Sequence, residues 1–223
     1  MIRPLVAGDL GWVVELLDRD GRHRESFAPQ FWRRAPDALR IHASYLGALI
    51  GDPAAVALRT GHAFAFGLRR PGLLLVDDAA AEHAAHWATE GAELLRRLAG
   101  DSRVRLVCPV PQPERAALAG RLGLSRVETW WHRDLTAQPS SAAADGPLEV
   151  DGAQGRLVPA PPIYAPGGPV LLVTEFRDRR ALAELEHRAE GRGAAVSVVT
   201  RNPGGYRHTC DFYEGMLSAP SRP

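Results

Sequence analysis

The chain has 223 residues, a net charge of +1 and 45% hydrophobic residues, enough to bury a core as one large domain or as a medium domain plus a small one. Its charge balance argues against a nucleic-acid footprint or a polyanionic partner. All 27 basic residues are arginine, which excludes a Schiff-base lysine and a P-loop, and the two cysteines, Cys108 and Cys210, suggest neither a disulfide framework nor a zinc cluster.

The opening MIRPLVAGDL lacks an apolar signal core and no apolar run approaches a membrane span, so a soluble, cytoplasmic protein is expected. Met1–Pro4 can start a strand. Asp9 reads as the N-cap of a first helix with Leu10, Val13, Val14 and Leu17 on its apolar face and Gly21 at its end. Ser26–Arg34 is an aromatic connection in which Phe27, Phe31 and Trp32 either cover the core or line a pocket. A second helix follows Asp37, with Ile41, Tyr45 and Leu49 in one row, and Gly51-Asp52-Pro53 stops it. Ala55–Thr60 and His62–Leu68 are strand candidates joined at Gly61.

The segment Gly72–Leu98 organises the rest. Its apolar run Leu73–Val76 ends in Asp77 and Asp78, and an Ala-rich stretch leads to a helix opening near His86. Trp87, Gly91, Leu94, Leu95 and Leu98 fall on one face of that helix. A buried strand running into a helix N-terminus can present free backbone N–H groups to an anion. Beyond it come a strand over Val104–Val110, a short helix over Glu114–Leu122, and a strand over Arg126–Leu135 carrying Trp130 and Trp131. This order suits an α+β, mixed-sheet domain over residues 1–135.

Residues 136–147 are small, polar and linker-like. The remaining 148–223 read as a C-terminal α/β accessory domain. Its elements are a loose strand pair over Leu148–Val158, a rigid loop over Ala160–Gly168 and a strand over Pro169–Phe176. A helix capped by Asp178 follows, with Leu182, Leu185 and Ala189 inward, then strands over Ala194–Thr200 and Tyr206–Leu217. Gly123–Leu135 and Gly205–Leu217 have equal length and a similar run from Gly through Arg to an aromatic pair. The C-terminal segment is therefore either a truncated second copy of the first domain's β-α-β end or simply another β-α-β unit.

IRPLVAGDL, LLLVDDAAAEHAAHWATEGAELL and LAGRLGLSRVETWWHRDL together resemble the GCN5-related N-acetyltransferase (GNAT) superfamily over residues 1–135. The resemblance implies an acyl-CoA N-acyltransferase fold with acetyl-CoA as co-substrate and an amine as acceptor. It also implies that the pantetheine pairs with the strand edge at Ala79 and Ala81. The pyrophosphate would sit on a Gln/Arg-x-x-Gly-x-Gly/Ala turn, here His86, Thr89 and Gly91 with Trp87 between them. Only Gly91 keeps the signature. The family's tyrosine acid falls on Ala119, which has no proton to give.

Acylation of an amine needs a base for the amine proton. Asp77 and Asp78 are the first candidates, since adjacent acids can raise one another's pKa; strand-end solvation or helix capping is their plain alternative. Glu128 and His132 are next, and Tyr45 could supply a hydroxyl. An acceptor pocket would be floored by Phe27, Phe31 and Trp32 and backed by Trp130 and Trp131. Glu82-His83-Ala84-Ala85-His86 has two imidazoles at a spacing that can ligate zinc, but it is not HExxH and lacks a third ligand nearby in the chain, so no metal is assigned. Cys108, in an apolar strand, reads as a buried, inert thiol. Two readings of function follow: an N-acyltransferase, or a GNAT-derived binding or regulatory module without turnover. In either, the C-terminal strands could extend a neighbour's sheet in a homodimer.

Overall fold

The structure is a computed structural model that describes residues 1–136 and 145–217; most of the expected linker lies outside the described residues. The helices are α1 (Leu10–Phe27), α2 (Ala38–Leu49), α3 (Ala84–Thr89), α4 (Gly91–Ala99), α5 (Pro113–Arg121) and α6 (Arg179–Gly191). The strands begin with β1 (Arg3–Pro4), β2 (Ala55–Arg59), β3 (Ala63–Arg70), β4 (Leu73–Ala81), β5 (Arg103–Pro109) and β6 (Ser125–Asp134). They continue with β7 (Gly146–Val150), β8 (Ala153–Val158), β9 (Val170–Phe176), β10 (Val196–Val199) and β11 (Arg207–Met216). The chain forms two compact units interleaved along the sequence. The first takes Met1–His23, Leu39–Glu128 and the chain from Cys210; the second takes Arg24–Ala38 and Thr129–Thr209.

In the first unit the strands run β1-β2-β3-β4-β5-β11. Leu74, Val76, Leu94, Leu95, Leu98, Leu106 and Leu118 fill the core on one face of this sheet, under α3, α4 and α5. Val13, Leu16, Leu17, Leu46, Phe64, Phe66 and Ala80 fill the other, under α1 and α2. Helix α1 does not stop at Gly21 but continues to Phe27. A mid-helix glycine costs only about 1 kcal/mol, and Gly21 is buried on a helix that packs through Val13, Leu16 and Leu17. Asp9 is likewise not the N-cap of α1. It closes a 3-10 turn, Ala7–Asp9, by accepting the Val6 N–H at 3.0 Å, and it pairs with Arg3 at 2.7 Å and Arg59 at 2.8 Å. Those partners hold its carboxyl far below the usual carboxylate range, Arg3 contributing most.

Strand β4 runs through both aspartates instead of ending at them. Its pairing with β3 passes from Gly67↔Val76 to Ala65↔Ala79, so Asp77 and Asp78 together face Phe66. Two residues against one is a β-bulge, which bends a strand and shifts its alternation. Leu74 and Val76 belong to the same core as Ala79 and Ala81, whereas Ala80 belongs to the opposite one. Asp78 is thereby moved onto the Ala80 face, toward α2. Parallel pairing of β4 with β5 covers only Leu74–Val76 against Val104–Leu106 and stops at the bulge.

The helix expected after β4 is broken at Glu90 into α3 and α4. Trp87, Gly91, Leu94, Leu95 and Leu98 are nevertheless all buried, as their spacing predicts.

In the second unit the order is β6-β10-β9-β8-β7. Leu157, Leu171, Leu182, Leu185 and Val199 lead its core. The Asp178 side chain accepts from the N–H groups of Arg180 and Ala181, capping α6 as its position predicts.

The two units repeat one plan. In each, a three-strand antiparallel meander (β2-β3-β4, β7-β8-β9) is followed by helix and then a strand lying parallel to the meander's last member. That parallel contact spans three residues in both, the second being Val170–Leu172 against Val196–Val198. Each parallel strand then takes an antiparallel neighbour from the other half of the sequence. β5 pairs with β11, from Cys210↔Pro109 to Met216↔Arg103, and β10 pairs with β6, from Val196↔Asp134 to Val199↔Trp131. The equal-length segments seen in the sequence are thus equivalent strands, exchanged within one chain.

Candidate active site

Leu46, fully buried against the sheet, fixes α2 over β3 and β4. His42 and Tyr45 precede it by one turn and one residue. His42 meets the bulge, its Nε2 lying 3.0 Å from Asp78 Oδ1. The imidazole is buried, while the Asp78 carboxylate keeps partial access to water. Tyr45 is exposed; partial burial, with Asp78 and then Asp77 adding negative charge, raises its hydroxyl above the ordinary phenol value. It therefore stays a neutral donor at physiological pH. Asp77 is exposed, and the bulge takes its backbone carbonyl out of the ladder. Arg115, buried on α5, donates to that carbonyl at 3.0 Å and to Gln112 Oε1 at 3.4 Å, and Gln112 in turn donates to Asp20 at 2.6 Å. A backbone acceptor that a bulge takes out of the ladder is satisfied here by a side-chain donor.

The structure thus brings Asp77, Asp78 and Tyr45 together and adds His42, which sequence reading did not single out. Its signal was available: His42 and Tyr45 stand at i and i+3 on a helix whose apolar row is otherwise continuous.

The other expected site residues lie elsewhere. Glu128 pairs with Arg105, which also holds Glu214 at 2.7 Å, in an ionic cluster along β5, β6 and β11. Ala79 and Ala81 are buried in the first unit's core, as are Trp87 and Ala119. His86 and Thr89 sit within α3, where the Thr89 hydroxyl bonds the Ala85 carbonyl at 3.3 Å, and no turn is present at these positions. Gly91 has no positive φ. A Cβ there would fall 2.7 Å from the Trp87 ring and 2.9 Å from Leu118, so packing between helices accounts for the glycine. Among the described residues a third ligating residue does lie beside Glu82 and His86, against the expectation from the sequence. It is His62, distant in sequence but adjacent in space.

The aromatic candidates belong to the second unit and cover it. Phe31 packs edge-on to Trp32 at 4.5 Å and stacks on His132 at 4.8 Å. Trp130 lies with Phe31 on Ala195, Val196 and Val198, and Trp131 stacks on His208 at 4.7 Å. Phe27 lies 5.7 Å beneath the Arg207 guanidinium. His132 is buried and bonded to Thr209; burial pushes its pKa down to about 4, with Arg207 adding to the shift and Asp134 opposing it. Burial pushes the Cys108 thiol up to about 12, which removes it as a nucleophile.

No family model and no curated protein sequence matches this chain. Solved structures do. A candidate acetyltransferase of Thermoplasma acidophilum superposes with a TM-score of 0.60 at 11% identity, covering 97% of this chain and 100% of the other. A GCN5-related N-acetyltransferase of Sphaerobacter thermophilus gives 0.56 at 13% identity over 97% and 95%. The chain has the GNAT fold. A candidate acetyltransferase of Pyrococcus horikoshii agrees, at 0.55 and 11% identity over 98% and 89%. Coverage of nearly the whole chain means that the GNAT-type likeness takes in both repeats and not only residues 1–135. At such identities it is a likeness of fold, so any chemistry has to be argued from this chain's own residues.

Proposed function

We propose that the protein is a GNAT-fold N-acyltransferase that moves an acetyl or related acyl group from acyl-CoA to an amine. The observation that carries this reading is the His42–Asp78 pair at the β4 bulge. A base must lie where the acceptor nitrogen can reach it, and Asp78 is the more accessible member of the pair. The amine nitrogen attacks the thioester carbonyl, its proton passes to Asp78 as backed by His42, and the carbon–sulfur bond breaks to release the CoA thiol. Ala119 provides no acid for the thiolate, so its proton comes from the neutral Tyr45 hydroxyl or from water.

The second reading, a GNAT-derived module without turnover, is favoured by a specific observation. The residues in register with the pyrophosphate turn form helix α3, and Gly91 is occupied by packing.

Thiol release from acetyl-CoA across a panel of small amines separates the two. Replacing a general base lowers turnover by about 10²–10⁴-fold. Asp78→Asn is expected to reduce kcat by that range, with the KM for acetyl-CoA little changed. An unchanged kcat in Asp78→Asn would remove the pair from the mechanism.

A further inference from the structure

Among the described residues, His62, Glu82 and His86 form one cluster in which a ligand atom from each lies within 4.8 Å of the other two. His62 comes from the turn between β2 and β3, Glu82 from the residue just after β4, and His86 from the first turn of α3. His62 Nδ1 is 2.9 Å from Glu82 Oε2. The other carboxylate oxygen, Oε1, accepts the Trp12 indole N–H at 3.1 Å. The His62 and His86 rings are stacked at 4.4 Å, and the exposed His83 ring lies 5.5 Å from His86. His86 Nδ1 is buried with no hydrogen-bond partner among the described residues. Arg19 donates to the backbone carbonyls of Ala81 and Glu82, which leaves the Glu82 carboxylate to His62 and Trp12.

We propose that His62, Glu82 and His86 form a divalent transition-metal site, with zinc its best-matched occupant. Two imidazoles and one carboxylate are a donor set that borderline-soft Zn²⁺ takes and hard Mg²⁺ and Ca²⁺ do not favour. Zinc bonds of about 2.0–2.2 Å place tetrahedral ligand atoms roughly 3.4 Å apart. The cluster closes to that spacing by rotation of side chains, since His62 is exposed and stands on a turn. Trp12 acts as the outer-shell donor that orients the carboxylate, a role ligating acids ordinarily require. The fourth position falls to water or to His83. A bound cation would tie the β2–β3 turn to the start of α3, a helix of only six residues. It would act at a point separate from the Asp78 bulge, so the proposal stands or falls independently of acyl transfer.

The test is metal titration of the chelator-treated full chain by calorimetry, with Co²⁺ as a spectroscopic stand-in for Zn²⁺. The expected result is one equivalent of Zn²⁺, no uptake of Mg²⁺, and an intense tetrahedral ligand-field band with Co²⁺. His62→Ala and His86→Ala should each weaken Zn²⁺ binding by more than the roughly 10–100-fold typical of an outer-shell change, while His187→Ala, which removes an exposed histidine of α6 outside the cluster, leaves it unchanged. The Co²⁺ band is read on the unaltered protein and does not depend on a variant folding. Absence of stoichiometric Zn²⁺ uptake, or affinity retained within a few-fold by both variants, would overturn the proposal.

Discussion

At the scale of single residues, burial decides what each ionisable group can do. His132 and His42 illustrate the contrast. His132 is sealed beneath Phe31 and bonded to Thr209, so it is kept neutral. His42 is buried but meets a carboxylate that water also reaches. The first makes a pH-dependent contribution to stability whose sign follows from linkage. Its folded pKa of about 4 lies below the ordinary histidine value near 6.5. Between those values the unfolded chain binds a proton that the folded chain refuses, so stability falls as the pH drops through this window and levels off below it. Urea unfolding at pH 7 and pH 5 should show a lower midpoint at pH 5 in the unaltered chain. His132→Phe should flatten that difference; the same pH dependence persisting in the variant would contradict the assignment. None of this is visible in the sequence, where Glu128 and His132 look like equivalent alternating polar positions on one strand. Glu128 is drawn into the Arg105 cluster, and His132 is buried.

At the scale of elements, hydrophobic periodicity makes most helices and strands legible, and local capping chemistry misleads at two ends. Asp178 caps its helix as read, because among the described residues only the neighbouring Arg177 competes for its carboxylate. Asp9 does not, because Arg3 and Arg59 take it. The β4 bulge is the consequential miss. An apolar run followed by two acids reads as a strand that ends, whereas its continuation into Ala79–Ala81 is decided by β3 and by Arg115 beneath the freed Asp77 carbonyl. Gly91 is a related case: the need for a glycine is readable, but the neighbour that imposes it is not. A Cβ would meet the buried Trp87 ring and Leu118. Overpacking of this kind costs about 1–3 kcal/mol, against roughly 1 kcal/mol gained in helix propensity. Gly91→Ala should therefore lower the urea midpoint modestly; a raised midpoint would show that α3, α4 and α5 are not packed as described.

At the scale of the whole molecule, the sequence carries the repeat but not the exchange. Gly123–Leu135 and Gly205–Leu217 are matched in length and pattern, and a local reading assigns each strand to the half that precedes it. Each instead completes the sheet of the other half, a pairing set by long-range register that no local pattern encodes. The exchange also explains why the two compact units interleave along the chain. It supports the candidate site indirectly, since β11 is the neighbour that completes β5, next to bulged β4. What this GNAT-fold chain does turns on whether it takes an acyl-CoA, given that His86 and Thr89, the positions the resemblance aligns with a pyrophosphate turn, are helical.

Calorimetric titration of the full chain with acetyl-CoA addresses that most directly. Saturable 1:1 binding with a Kd below the millimolar range, retained in Asp78→Asn, is the expected result. No heat and no thermal stabilisation at millimolar acetyl-CoA would contradict it and leave the fold serving as a module without turnover.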